Sequence, residues 1–248
     1  MYKRILLKLS GEALDEKNSD NIIDVKKLND VCDNIKALHD GGMEVAVVVG
    51  AGNIWRGKIA ESVGIERVPA DYMGMMGTVM NAVALSSMLN NKGLECEVYS
   101  ALPEIKGVTI AYNADKVKED LSKGKICFLA GGTGKPFFTT DTAAALRAIE
   151  VQCDAILMAK NQVRGVYDKD PNLYEDAHFY EEISYQQMID LNIKIMDKSA
   201  MELLDKANIE TLIFSMQNPD NFQKAAQGIN VGTICKKENL TINKSSKN

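Results

Sequence analysis

Three side chains suited to handling phosphate stand close to glycines in this sequence. Lys8 lies three residues before Gly11, Arg56 lies four residues after Gly52, and Asp141 closes the run GGTGKPFFTTD that begins at Gly131. An ammonium at Lys8 could reach over its glycine turn to a phosphate and stabilise charge on transferring phosphoryl oxygens. The guanidinium of Arg56 could fold bidentately onto a second phosphate. Thr133, Thr139 and Thr140, with the main chain around them, suit sugar and base edges, while Asp141 could orient a metal or the lysine. Each residue also has a plainer reading. Lys8 could be an edge-strand lysine facing water, and Arg56 a surface arginine stacked on Trp55. Thr139, Thr140 or Asp141 could simply cap a helix. Asp71 precedes a helical run and reads as an N-cap before it reads as a ligand. Phe137 and Phe138 read as core or subunit contacts rather than as rings stacked on a ligand.

The elements that must position these groups are visible in the hydrophobic pattern. KRILLKLSG (Lys3 to Gly11), VAVVVGAGN (Val45 to Asn53) and ICFLAGGTG (Ile126 to Gly134) each run from apolar, β-branched residues into a glycine turn. Such runs, separated by helical periodicity, indicate parallel strands buried on both faces, whose carboxyl ends line one crevice. Glycine turns there let main-chain N–H groups approach an anion, and a following helix start adds its positive dipole. The spacing predicts helices over 25–40, from about 71 to 91, and over 114–122, 140–151, 185–191 and 196–206. Further strands are expected at 95–100, 155–159, 211–214 and 232–235. VRGVYDKDP, from Val163 to Pro171, reads as a turn or hairpin edge, and the charged stretch from Asp168 to Glu182 as solvated surface.

Composition and missing motifs narrow the function. The chain has 248 residues, 46% of them hydrophobic and 25% charged, which fits one large α/β domain. Its net charge of −5 disfavours a general nucleic-acid surface and leaves phosphate substrates open. The five cysteines are scattered and form no CxxC pair, so reduced, buried thiols are expected. No apolar run is long enough for a membrane span, and no signal-peptide core is present, so the default location is the cytoplasm. Gly134-Lys135 is followed by Pro136, which rules out a Walker-type P-loop, and Trp55 breaks the dinucleotide fingerprint begun by Gly50 and Gly52. His39 and His178 have no ligand spacing. Met73, Met75, Met76, Met80 and Met88 suit a core or a subunit interface better than a metal.

Taken together, KRILLKLSGEAL, GAGNIWRG, DYMGMMGTVMNA, GGTGKPFFTTDTAAALRAIE and KIMDKSAMELL resemble the bacterial-type uridylate kinases of the amino acid kinase family, over nearly the whole chain to about Cys235. The resemblance implies a three-layer αβα sandwich with a mainly parallel central sheet, the amino acid kinase fold, over residues 1–236, followed by a polar tail at 237–248. It implies transfer of phosphate from ATP to UMP, in pyrimidine nucleotide synthesis, with magnesium accompanying the ATP, Asp141 and Asp197 organising the catalytic lysine and that magnesium, and no separate protein metal site. It also implies a homohexamer and inhibition by UTP. By the same resemblance Lys8, Arg56, Asp141 and Asp197 are catalytic. Lys8, Leu9, Ser10, Gly11, Gly52, Arg56, Asn161, Tyr167 and Asp170 would surround ATP. Ala51, Asp71, Thr133, Gly134, Lys135, Pro136, Phe137, Phe138, Thr139 and Thr140 would hold UMP.

Three positions depart from the family pattern. Ala51 stands where relatives usually have the middle of three glycines, and Arg164 where an acidic residue is common. The loop before Ile23-Asp24 lacks the Gly-x-Gly linked in many relatives to GTP activation, so weak or absent activation is expected. Two rivals stay open: a kinase of the same fold acting on a carboxylate or carbamate, and a nucleotide-sensing module that transfers nothing.

Overall fold

Strands that are apolar on both sides need cover on both sides, and in the computed structural model helices supply it on each face of one sheet. The structure describes residues 2–15, 21–161 and 163–238. The chain runs through β1 (Arg4–Leu9), a 3₁₀ turn (Gly11–Leu14), α1 (Val25–Asp40), β2 (Glu44–Val49), α2 (Gly57–Ser62) and α3 (Arg67–Asn91). Next come β3 (Cys96–Ser100), β4 (Ile110–Ala111), α4 (Ala114–Ser122), β5 (Ile126–Ala130), α5 (Thr140–Glu150) and β6 (Ala155–Lys160). A small hairpin, β7 (Val166–Tyr167) with β8 (Phe179–Tyr180), leads to β9 (Glu182–Ser184), α6 (Tyr185–Asp190) and α7 (Lys198–Ala207). The described part closes with β10 (Glu210–Ser215), α8 (Asp220–Ala226) and β11 (Thr233–Lys236).

The nine-stranded sheet has the order β4-β3-β5-β2-β1-β6-β10-β11-β9, and every pairing is parallel except β10 with β11. β1 is central. It pairs with β2 in the register Lys8 to Val48 and with β6 in the register Lys8 to Met158. Successive strands were added first on one side of β1 and then on the other, so the carboxyl ends of β1, β2, β5 and β6 open onto a switch-point crevice. Alternation then decides which way Lys8 faces. Ile5, Leu7 and Leu9 belong to the core beneath α1, α3 and α8, whereas Leu6 belongs to the core beneath α5 and α7. Lys8 shares the face of Leu6, under the first turn of α5.

Most expected elements occur within a residue or two of their predicted ends. α3 starts earlier than expected, at Arg67 with Glu66 as its N-cap, so Asp71 is not a cap but lies one turn inside the helix. α2, β4, β8, β9 and α8 were not anticipated, since each spans only two to seven residues and leaves too little pattern to read. The methionines of α3 divide. Met75 is buried, and Met76 and Met80 are exposed. No described helix is long and apolar enough to cross a membrane. The stretch 16–20, whose missing Gly-x-Gly underlies the expectation about GTP, and 239–248, most of the expected tail, lie outside the described residues.

Candidate active site

The turns after β1 and β2 interlock. A Cβ at residue 11 would stand 2.6 Å from the Gly50 carbonyl oxygen, from the Gly52 nitrogen and from Asn53 Oδ1. Only glycine fits there, and the two main chains therefore run side by side at the head of the crevice. Ser10 accepts a hydrogen bond from the Glu12 N–H and opens the 3₁₀ turn. Arg56 crosses between the turns, donating from Nε to the Gly52 carbonyl (2.9 Å) and pairing with Glu12 (2.8 Å), rather than lying on Trp55.

Lys8 is 8% exposed, so its reading as a water-facing edge lysine is overturned: the strand it sits on is the centre of the sheet. Its Nζ lies 2.5 Å from Asp141 Oδ1, in the first turn of α5. That oxygen is buried and has no hydrogen bond of good geometry. Burial pushes the Asp141 carboxyl up, but the positive charges of Lys8 and Lys160 outweigh it and hold the group below its usual value. Lys160 ends β6 and donates to the Ile195 carbonyl at 2.8 Å. Burial first, then the charge of Lys8, lower its pKa from the ordinary 10.5, against the pull of Asp141. Two lysines thus flank one carboxylate where β1 and β6 end and α5 begins. Lys160 was missed in the sequence, although AILMAK closes an apolar strand on lysine just as RILLKL places one near the end of the first.

Asp197 caps α7 through the Ala200 N–H (3.0 Å) and takes hydrogen bonds from the Thr142 hydroxyl (2.9 Å) and from Thr139. Its carboxylate joins the N-termini of α5 and α7, and with Asp141 it lines a cavity of about 300 Å³. Thr139 is the N-cap of α5, accepting from the Asp141 and Thr142 N–H groups. The capping reading of this segment is correct for Thr139, and Asp141 remains turned toward the lysines.

A second cavity, of about 410 Å³, opens between the loop after β2, the early turns of α3 and the segment after β5. Ala51, Trp55, Asp71, Met75, Thr133, Lys135, Phe138, Thr139 and Thr140 are among its walls. Asp71 receives two hydrogen bonds from Arg67 Nε (2.8 and 2.9 Å) and one from the Phe137 N–H (2.7 Å). Phe137 has φ 71°, an uncommon conformation for a residue with a side chain, in a segment that turns through Gly131 and Gly134 at φ 77°. Phe137 and Phe138 are 64% and 51% exposed, so of their reading as core or subunit contacts the core half is corrected. Arg147, buried on α5, donates to the Gly132 carbonyl (3.2 Å) and to Glu150 (2.6 Å) while lying over the Tyr112 ring. This buttress was also missed. An arginine on a helix gives no sign in the sequence that it faces inward.

Tyr167 and Asp170 line a third cavity, of about 490 Å³, with Asn192, Ile193 and Lys194, beside the one that holds Asp141 and Asp197. Asn161 does not join them. It faces a different cavity with Glu12, Asp15 and Gln217, and its carbonyl accepts from Gln217 Nε2 at 3.1 Å. Arg164 lies over the Phe179 ring, 4.4 Å from its centroid, and is not among the residues lining the Tyr167 cavity.

The arrangement is thus a buried cluster of two lysines and a carboxylate, with the Asp71 cavity and the Tyr167 cavity both open to solvent and both reached from the ends of the same sheet. The profile of the amino acid kinase family matches residues 3–215. The uridylate kinase of Mycoplasma capricolum is 46% identical over 234 residues, spanning 94% of this chain and 98% of that protein. That of Mycoplasma mobile is 45% identical over 231 residues, spanning 92% and 94%. The crystal structure of UMP kinase from Ureaplasma parvum is similar with a TM-score of 0.90 and 38% identity, covering 96% of this chain and 100% of that one. The UMP kinase structure from Bacillus anthracis is similar with a TM-score of 0.92 and 36% identity, covering 96% and 97%.

Proposed function

The chain belongs to the amino acid kinase family, and from that premise we propose that it is a UMP kinase, moving the γ-phosphoryl group of ATP directly to the phosphate of UMP. The observation that carries this reading is the Lys8–Asp141–Lys160 cluster at the head of the crevice, with glycine turns beside it and the Asp71 and Tyr167 cavities opening nearby. In the transfer a UMP phosphate oxygen attacks the γ-phosphorus, the bond from that phosphorus to the β-bridging oxygen breaks, and ADP leaves with the electron pair. No covalent enzyme intermediate is needed, so catalysis rests on positioning and on stabilising charge.

Lys8 stabilises the transferring group, and the main chain of Leu9, Ser10 and Gly11 receives the ATP phosphates. Asp141 holds Lys8 and Lys160 in place, and Asp197 fixes the helix start that carries Asp141. Gly52 and Arg56 lie against phosphates, and the main chain of Ala51 meets UMP. Asp71 takes the ribose side of UMP, and the segment from Thr133 through Gly134, Lys135, Pro136, Phe137 and Phe138 to Thr140 receives the rest of the acceptor. Tyr167 and Asp170 receive the adenine nucleotide.

Among the described residues no group of three or more His, Cys, Asp or Glu could hold a metal by itself. Magnesium that arrives on ATP fits this site, because it binds through one or two carboxylates plus phosphates, and the Asp141 carboxylate, paired with Lys8, stands at the head of the crevice. When bound it would neutralise charge on the β and γ oxygens. We read the working form as a homohexamer open to inhibition by UTP at the acceptor cavity.

The test is ADP release with ATP and magnesium against UMP, CMP, dUMP, acetylglutamate and carbamate, with products identified by mass. Selective UDP formation supports the reading. Transfer to a carboxylate or carbamate instead, or nucleotide binding without any transfer, overturns it.

A further inference from the structure

The loop after β2 is fastened to α3 at two points. Asn81, fully buried, donates from Nδ2 to the Gly50 carbonyl (2.8 Å) and exchanges amide hydrogen bonds with Asn53 (2.8 and 3.1 Å). One loop turn further on, Trp55 Nε1 donates to the Ala70 carbonyl at 2.9 Å. Between these anchors the Ala51 carbonyl accepts from the Ile54 and Trp55 N–H groups (2.9 and 2.8 Å), which shapes the turn that walls the acceptor cavity. The Ala51 methyl is turned onto α3. A Cβ at position 77 would stand 2.8 Å from Ala51 Cβ, and 3.6 Å from Ile54 Cβ and Cγ2.

Carbon atoms in good contact lie about 3.5–4.0 Å apart, so a methyl on residue 77 would force the loop and helix apart by roughly 1 Å. Neither side can yield by rotation, since alanine has no side-chain torsion that moves its Cβ. Glycine inside a helix is unfavourable compared with alanine, and in this long helix Gly77 has a packing reason: it makes the room that the Ala51 methyl takes up. Its own backbone is ordinary helix, so conformational need does not account for it.

We propose that Gly77 is a positioning residue for the acceptor site, matched to Ala51, and that the pair sets how closely residues 50–56 lie on α3. Gly77 is not among the residues lining the cavity and acts through Ala51 and Ile54. Raising the loop shifts Gly52 and Arg56, which the UMP kinase reading sets against the phosphates. The kinetic consequence rests on that reading, and the structural consequence does not.

The two are separable because Trp55 is the only tryptophan in the chain and sits on this loop. The variants are Gly77→Ala and the double variant Ala51→Gly with Gly77→Ala, which returns the lost space. Gly77→Ala is expected to change the Trp55 emission, to raise the UMP KM and to lower kcat/KM for UMP about 10- to 100-fold, as displacements near 1 Å do to positioned groups. The double variant is expected to recover the wild-type emission and most of the KM. Two results overturn the proposal: wild-type emission and KM in Gly77→Ala, or a double variant with the full defect of the single one. If Gly77→Ala alone is insoluble, the double variant decides. Soluble protein with wild-type emission supports the pairing, and equal insolubility refutes it. Should the wild type neither bind nor phosphorylate UMP, the substrate reading fails and the emission comparison still judges the Ala51–Gly77 pairing.

Discussion

Changing Asp141 to Asn removes the carboxylate that, among the described residues, the ion-pair geometry and the pKa causes place between Lys8 and Lys160, and it keeps the side-chain shape. The Lys8 and Asp141 side chains are 10% and 16% exposed, so this is a buried pair rather than a screened surface one. Deleting one partner of such a pair costs about 3–5 kcal/mol, because the other charge is left without compensation. The lower end applies, since Lys160 already has a depressed pKa and can shed its proton when the carboxylate goes. At about 2–4 °C per kcal/mol for a chain of this size, roughly 3 kcal/mol corresponds to a fall in Tm of about 6–12 °C. The deficit should depend on pH. The unfolded chain keeps its lysine protons to about pH 10.4, whereas in the variant the folded Lys160, already held below its ordinary value by burial and the charge of Lys8, loses the pull of Asp141 and releases its proton earlier. Over the window between those values the unfolded state binds more protons, so stability rises with pH. The gap to wild type therefore narrows from pH 6 to pH 9.5. ATP, whose phosphates replace the missing anion, should raise the Tm of the variant more than that of wild type. Thermal melts at three pH values, with and without ATP, are the assay. A variant within 2 °C of wild type, or a deficit indifferent to both pH and ATP, would refute the account of the cluster.

Three further outcomes follow from the same geometry. Lys8→Ala should lose at least about 100-fold in kcat, the scale of one charge-stabilising group, while UMP affinity measured by calorimetry changes far less; parallel losses in both would remove Lys8 from the transfer step. Asp71→Asn keeps an acceptor for the Phe137 N–H but surrenders the charge paired with Arg67, so the KM for UMP should rise about tenfold or more with kcat within a few-fold, on the scale of a charge-assisted hydrogen bond; an unchanged KM counts against Asp71 at the ribose. GTP added at subsaturating UMP and ATP should leave turnover unchanged, and a clear rise would show that activation does not need glycines before Ile23.

What could be read in advance was whatever repeats along the chain. Strands buried on both faces announce themselves as apolar runs, and the glycine junctions at their ends mark the place of the crevice. Lys8 was recoverable for the same reason, because a charge inside an apolar run needs a partner. The partner itself was harder. Asp141 looked equally like a helix cap, and only the parallel register that sets β1 beneath α5 assigns the cap to Thr139 and frees Asp141 for the lysines. Lys160 obeys the same rule as Lys8 and was overlooked because a lysine at a strand end usually faces solvent. Asp71 was misplaced by one helical turn, since the stretch Arg67-Val68-Pro69 hid the true start of α3.

Arg147, Asn81 and Gly77 mark a different boundary. Each does its work across the fold, one on the Gly132 carbonyl, one on the Gly50 carbonyl, one through a methyl on another loop. Nothing in the spacing of residues along a helix tells which of its polar or small positions meets a loop from elsewhere. The departure at Ala51 shows why this matters. Taken alone, an added methyl beside a phosphate turn argues against close approach of a ligand. Set against Gly77 it argues only that the space was moved from the loop to the helix, so that the turn can keep its height with a different residue at its centre.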